Sequence, residues 1–441
     1  MNAIPPAASR TPVLFVGDAV AATGFARVMH SLCEALQSDY EIHQIAINYH
    51  GDPHDCAWRI YPAKLGGDVF GVNRLLPLVE SVRPALIFLL NDIWILADYM
   101  TQLRTLPALP KVVMYCPVDA GPIEPSAIER LEGVERFVVY TEFAKREIEA
   151  ALAGLRQRRP DFAFPIIEVI AHGVDSVLFH PLYAEDVGEF TSEGRRRAIQ
   201  SIFGDDPEMQ DAFIVLNANR NQPRKRIDLT IKGFAQFAAG KPADVKLHLH
   251  MGVEDAGWNV VHLARRYGID ERIILTTNGD NLPSVPIEQL NTIYNAASVG
   301  INTSIGEGWG LVSFEHAATG AAQIVPRHSA CEELWQGAAL MVEPVMSLTT
   351  EGMLTEGHYV SSEGVAAALQ RLYDDRALLS AMSQAAYRNA TRPEYRWSVI
   401  AGQWHRLFQD VLHDEVPREE APREEALIEE VLRDEALSPV A

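Results

Sequence analysis

Three short constellations carry side chains that could do chemistry. The first is Asn217-Ala218-Asn219-Arg220-Asn221-Gln222-Pro223-Arg224-Lys225-Arg226, where an apolar strand pattern gives way to a helical one. Arg220 falls just past the strand end and Lys225 at the helix start. Two cations beside a helix N-terminus make a diphosphate clamp. Four cations within seven residues stand out in a chain of formal charge −21. An anionic ligand approaching so acidic a protein needs a local positive field. A solvated basic turn is the plain alternative.

The second constellation is Gly306-Glu307-Gly308-Trp309-Gly310-Leu311-Val312-Ser313-Phe314-Glu315. Glu307 falls in a loop and Glu315 about one turn inside the following helix. Gly308 and Gly310 allow a ligand close to the backbone. A loop carboxylate can accept hydrogen bonds from sugar hydroxyls, and a helix carboxylate can take the paired hydroxyls of a ribose. The third is Gly17-Asp18 through Thr23-Gly24-Phe25-Ala26-Arg27, again between strand and helix. It would present N–H groups to an anion or a hydroxyl-rich ligand; equally, it would be a tight turn that needs Gly24 for its conformation. Its spacing matches neither the dinucleotide fingerprint nor the phosphate loop of NTPases.

The elements that must position these residues alternate. Strands are predicted at Val13–Gly17, His43–Ile47, Ala85–Leu90, Lys111–Tyr115, Arg136–Tyr140 and Ile166–Ile170. Runs such as ALIFLL and RFVVY suit strands buried on both faces of a parallel sheet. A second series follows at Phe213–Asn217, Lys246–Met251, Arg272–Thr276, Ser298–Thr303 and Gln323–Pro326. Helices are predicted at Gly24–Leu36, Arg226–Phe237, Ile287–Ala297 and Leu311–Thr319, and a last amphipathic one near Tyr395–Leu412. The architecture expected is α/β: two Rossmann-like domains facing a central cleft, with a link near Asp175–Gly204. The expected division is a flexible start, 1–12; an N-terminal domain, 13–180; a C-terminal domain, 205–394; a terminal helix, 395–413, belonging to the first domain; and an acidic low-complexity tail, 414–441.

Composition narrows the classes. With 38 Lys and Arg against 59 Asp and Glu, a nucleic-acid binder acting through bulk charge is not expected. Four cysteines without a C-x-x-C pair argue against a zinc site or a disulfide framework and fit a reducing compartment. The Ala/Pro-rich start lacks the apolar core of a signal peptide, and Ala85–Leu96 is interrupted and too short to span a bilayer. A cytoplasmic protein is the default expectation. Arg156–Arg159 and Arg195–Arg197 are candidates for peripheral contact with anionic lipid, with solvated loops as the alternative.

Taken together, E-G-W-G-L-V-S-F-E resembles the E-x7-E signature of retaining GT-B glycosyltransferases, in particular family four. The Arg220–Lys225 segment resembles that family's Gly-Arg to Lys-Gly segment, and Ile170-Ala171-His172-Gly173-Val174-Asp175 its I-P-x-G-V-D. Departures are Trp309 for the usual Phe, His316 after Glu315, and Arg226 where Gly is usual. The resemblance implies a nucleoside-diphosphate sugar, UDP- or GDP-linked, held by the C-terminal domain. Arg220 and Lys225 would bind the diphosphate. Glu307 would hold the transferred sugar, helped by the N–H groups of Gly308, Trp309 and Gly310, with Leu311 alongside. Glu315 would bind the ribose, and the loop Thr276–Pro286 would frame the base. The terminal helix would cross back to the N-terminal domain. Asp119, near the place of a catalytic-cleft His in relatives, is the candidate for that polar role, and His172 is a domain-junction residue. Asp18, Thr23 and Gly24 are the candidate acceptor contacts.

The reaction expected is transfer of a sugar to an acceptor hydroxyl with retained anomeric configuration. Cations would stabilise the departing diphosphate without a metal or other cofactor, consistent with the lack of any D-x-D triplet. Nothing in the residues singles out the acceptor or the oligomeric state. The alternatives are another GT-B enzyme, an NDP-sugar epimerase or a phosphorylase, or a non-catalytic nucleotide- or glycan-binding protein of the same fold.

Overall fold

A computed structural model of the chain describes residues 10–21, 23–64, 67–281 and 283–413. Residues 1–9 and the acidic tail, 414–441, lie outside the described residues. The chain forms two compact units. Of the described residues, the first holds those up to Val118, Ile123–Gly173 and the terminal helix; the second holds Asp119–Pro122 and those of Val174–Arg396.

The first unit is built on strands β1 (Thr11–Asp18), β2 (Tyr40–Ile47), β3 (Arg59–Pro62), β4 (Leu86–Leu90), β5 (Val112–Cys116), β6 (Arg136–Val139) and β7 (Ile167–Val169). All pair in parallel, in the order β3-β2-β1-β4-β5-β6-β7. Every residue of β4 and β5 is buried, which is why both read as unbroken apolar runs. Helices α1 (Gly24–Leu36), α2 (Val72–Val82), α3 (Ile93–Leu103), α4 (Pro125–Glu129) and α5 (Glu142–Arg158) connect them. Strand β3 escapes sequence reading because Arg-Ile-Tyr-Pro is a half-exposed edge segment without an apolar run.

The second unit begins with α6 (Glu193–Phe203) and carries β8 (Phe213–Asn217), α7 (Ile227–Ala238), β9 (Val245–Leu249), α8 (Val260–Arg266), β10 (Ile273–Leu275), α9 (Ile287–Ala296), β11 (Val299–Ile301), α10 (Leu311–Ala318), β12 (Ala322–Pro326), α11 (Ser329–Leu334) and β13 (Leu340–Val342). Its parallel sheet has the order β10-β9-β8-β11-β12-β13. An antiparallel hairpin, β14 (Pro344–Thr349) and β15 (Glu356–Val360), follows, then α12 (Ser362–Asp374) and α13 (Arg376–Ala390). Ile227, Ile231, Phe234 and Phe237 of α7 pack against the sheet and against Val365, Leu369 and Leu372 of α12. Each such side chain contributes ~1.5–3 kcal/mol by leaving water. Gly233 permits the crossing: a Cβ there would lie 2.4 Å from Val365 Cγ1 and 3.0 Å from the Ser362 carbonyl oxygen.

Helix α14 (Trp397–His413) returns to the first unit. Trp404 meets Phe88 edge-on at 5.0 Å and Tyr115 at 4.8 Å, and Phe408 lies 5.8 Å from Phe88. The segment Asp175–Gly204, where the link is expected, is held by side-chain hydrogen bonds. Asn291 and Asn295 of α9 accept from the His180 and Leu182 N–H groups at 3.2 and 3.0 Å, and Ser192 caps α6. Its polar composition concealed packing achieved through amide side chains. Both basic patches are engaged within the chain: Arg159 bridges Glu129 and Glu132, and Arg196 and Arg197 grip Glu193. No described helix is long and apolar enough to cross a membrane.

Candidate functional site

In each sheet the crossover direction reverses beside the first strand, between β1 and β4 and between β8 and β11. In open parallel sheets the carboxyl ends flanking that reversal are where ligands bind. The first two constellations occupy that position in the second unit.

The loop leaving β8 is held by buried amides. The Asn217 carboxamide oxygen accepts from the Asn219 N–H at 3.0 Å. Asn221 donates to the Glu254 and Trp258 carbonyls at 3.0 and 2.7 Å and accepts from the Trp258 N–H at 3.1 Å. A short 3-10 turn, Pro223–Lys225, then carries Lys225 inward. Arg226 closes the turn at φ 49°, ψ 50°, the left-handed conformation that favours glycine. Its guanidinium compensates by lying 5.2 Å from the Trp258 ring and 5.1 Å from the Tyr359 ring, while pairing with Asp228 at 2.6 Å. The departure at this position thus keeps the backbone of a glycine and adds a stacked cation.

From the β11 side comes Glu307, only 6% exposed. Its Oε2 lies 2.5 Å from Lys225 Nζ, accepts from Ser304 Oγ at 2.8 Å and faces Asn302 Nδ2 at 3.4 Å. Burial alone would push this carboxyl up. The charges of Lys225 and Arg224 and the hydrogen bonds from Lys225 and Ser304 outweigh it and hold Glu307 down at about 2. Burial, then the Arg224 charge, pull Lys225 below the ordinary lysine range, against the attraction of Glu307. Held down in this way, Glu307 is the carboxylate of the pair and accepts from Lys225 Nζ. Arg224 Nη1 donates to the Gly306 carbonyl at 3.2 Å and pairs with Asp119 at 3.0 Å. Gly306 is pressed against this arrangement: a Cβ there would lie 2.8 Å from the Asp119 carbonyl oxygen. Gly310 adopts φ 86° and caps α10, and a Cβ there would lie 3.4 Å from Glu307 Cγ.

The expected residues therefore divide. Lys225 and Glu307 meet, and Asp119 stands beside them through Arg224, a cation that sequence reading passed over. Arg220 is half-exposed and grips Asp255 in two contacts at 2.7 and 3.1 Å. Gly308 and Gly310 are buried with the loop, and Leu311 opens α10. The Trp309 ring is a core side chain, stacked 4.9 Å from Phe314 and edge-on to Tyr395. Glu315 is 4% exposed and accepts from Tyr294 Oη at 3.3 Å. Asp18, Thr23 and Gly24 sit in the first unit at the end of β1. Asp18 Oδ2 accepts from Thr23 Oγ1 at 2.6 Å and Asn48 Nδ2 at 3.0 Å, and Thr23 caps α1. Gly24 has no positive φ and open space where a Cβ would stand, so the turn does not require glycine there. His172 is buried near the end of the first unit, 2.9 Å from Tyr115 Oη, and burial pushes it down to about 3. Residues missed by sequence reading are His328 and Ser329. Ser329 Oγ accepts from the Glu307 N–H at 3.1 Å, and His328 lies 3% exposed beside it. Pro326-Arg327-His328-Ser329 carries no periodicity or spacing that would have marked them.

Two parallel sheets of this strand order, with a terminal helix returned to the first unit, define the GT-B fold class. Among solved structures, the sucrose-phosphate synthase of Thermosynechococcus elongatus matches 92% of this chain and 100% of its own, at TM-score 0.68 and 18% identity. Anabaena HepE, solved with UDP and glucose, matches 91% and 100% at TM-score 0.65 and 14% identity. WaaG, a glycosyltransferase involved in lipopolysaccharide biosynthesis, matches 90% and 99% at 0.61 and 12%. By sequence, the chain is 26% identical over 210 residues to a D-inositol 3-phosphate glycosyltransferase of Corynebacterium aurimucosum. That match spans 46% of this chain and 44% of the relative, less than half its length. No family model matches the chain. Among the described residues, no group of three or more His, Cys, Asp or Glu side chains is placed to hold a metal ion.

Proposed function

We propose that the chain is a retaining glycosyltransferase that moves a sugar from a nucleoside-diphosphate sugar to an acceptor hydroxyl without a metal. The observation that carries the reading is the buried Lys225–Glu307 pair at the sheet's switch point, with Arg224 adjoining. A diphosphate entering there meets a desolvated ammonium and a guanidinium, which stabilise charge developing on the leaving oxygens. Glu307, kept ionised, accepts hydrogen bonds from the donor sugar's hydroxyls. Arg220 extends the cationic strip by exchanging Asp255 for phosphate, and Glu315 exchanges Tyr294 for ribose hydroxyls. The amides of Gly308, Trp309 and Gly310 complete the cradle. Asp18, Thr23 and Gly24 contact the acceptor. The nucleotide in the HepE complex favours a UDP-linked donor over a GDP-linked one.

The test is a thermal-shift panel of UDP-, GDP- and ADP-sugars, followed by an assay for nucleoside-diphosphate release. Stabilisation follows RT ln(1 + [L]/Kd), so a specific donor separates from the rest. One donor should shift the midpoint and be consumed only with a hydroxyl acceptor or, slowly, with water. Stabilisation without release, with any of a broad set of acceptors, would leave a binding protein of the same fold.

A further inference from the structure

Glu307 is braced from two directions, by Ser329 at its peptide and by Ser304 of its own loop at its carboxylate. Its N–H donates to Ser329 Oγ at 3.1 Å. Ser329 Oγ lies 3.1 Å from His328 Nδ1, and His328 Nε2 lies 3.0 Å from the Ser304 carbonyl oxygen. Ser304 Oγ in turn lies 2.8 Å from Glu307 Oε2. Carbonyl oxygens only accept, so His328 Nε2 carries the proton and Nδ1 accepts from the Ser329 hydroxyl. Burial and the neighbouring His358 push His328 down to about 4, which fixes the neutral ring this pattern requires. His358 stacks on it with ring centres 5.4 Å apart. Ser329 adopts φ 46°. That region strains any residue with a side chain and leaves glycine unstrained. Serine here therefore trades backbone comfort for its hydroxyl.

We propose that His328 and Ser329 are positioning residues, closing one hydrogen-bond circuit that fixes both the peptide and the carboxylate of Glu307 for the donor sugar. The inference rests on the glycosyltransferase reading of the site. It assigns the circuit to the sugar end, so it bears on turnover and not on nucleotide binding.

Ser329→Gly removes the hydroxyl while suiting the backbone. Nucleoside-diphosphate release from a mixture of UDP-glucose, GDP-mannose and ADP-glucose should fall at least tenfold in kcat. The thermal midpoint should hold or rise, and the Kd for UDP should stay within twofold. His328→Ala should fall similarly, and the double variant should lose no more than the worse single, because both break one circuit. A Ser329→Gly enzyme turning over within twofold of wild type overturns the proposal. So does a loss of UDP affinity matching the loss of kcat, which would mean a loop collapse. A wild-type protein that releases no nucleotide from the mixture overturns the reading on which the circuit rests, and that outcome is distinct from the other two.

Discussion

Lys225 and Glu307, 82 residues apart in sequence, meet at 2.5 Å where β8 and β11 run side by side. Both side chains are 8% exposed. Removing one partner of such a pair strands the other charge in a dry site, at a cost of ~3–5 kcal/mol. Lys225→Ala and Glu307→Ala should each destabilise by about that much in urea unfolding. Lys225→Met combined with Glu307→Gln should recover most of the stability. Neither the singles nor the double should retain turnover, because the charges are needed by the donor. A double variant as unstable as the singles would show that the pair contributes through packing alone.

Glu307 also makes a pH statement. Its pKa when folded, about 2, lies below the unfolded carboxyl. The unfolded chain therefore binds the proton more readily between the two values, and the stability from ionised Glu307 is present above ~4.3 and lost as pH falls toward 2. The Glu307→Gln variant should lack that part of the acid slope. Wild type and variant with parallel stability profiles from pH 5 to 3 would contradict the assignment.

Five histidines set an earlier acid limit. Burial pushes His172, His248 and His316 down to about 3 and His250 and His328 to about 4. Each stays neutral when folded and takes a proton on unfolding below its ordinary value, so stability declines as pH drops from ~6.5. At pH 5 each favours the unfolded state by about 2 kcal/mol. Urea midpoints measured from pH 7 to 5 should fall steeply, and substituting His172 by Gln should shallow the slope. A flat profile would show that these rings find protons in the folded state.

Arg226 separates strain from stacking. Arg226→Gly relieves the left-handed backbone but loses both ring contacts and Asp228. Arg226→Ala keeps the strain and loses the contacts. Unfolding should rank wild type at or above Arg226→Gly, with Arg226→Ala ~1 kcal/mol lower still. Equal midpoints for Gly and Ala would remove the backbone argument.

Gly24 offers the opposite case in the first unit. It opens α1 with room for a methyl group. Gly24→Ala should raise stability by ~0.5 kcal/mol through the unfolded chain. Turnover should fall if the acceptor approaches this backbone as proposed. Unchanged acceptor KM would move the acceptor site away from the β1 end.

The sequence showed what depends on local pattern. Buried strands such as Leu86–Leu90 announce themselves as apolar runs, and Glu307 and Lys225 stand out by type within glycine- and arginine-containing turns. What stayed hidden depends on partners far along the chain. Arg224 is one of four cations within seven residues until Asp119 and Gly306 meet it. His328 is an unmarked residue until Ser304 and Ser329 fix its ring. The hairpin β14–β15 was unreadable because β14 leaves Val345, Met346 and Leu348 exposed, so no alternation of inward and outward residues survives.

Helix α14 has a consequence for biogenesis. Phe15, Phe88 and Tyr115 are laid down early in synthesis, yet the ring cluster that seals them, Trp404 and Phe408, is among the last described segments to be made. The second unit has all its parts before that point, whereas the first must wait with an apolar face uncovered. A chain ending before Trp397 would therefore leave that apolar face of the first unit exposed, the kind of surface that promotes aggregation.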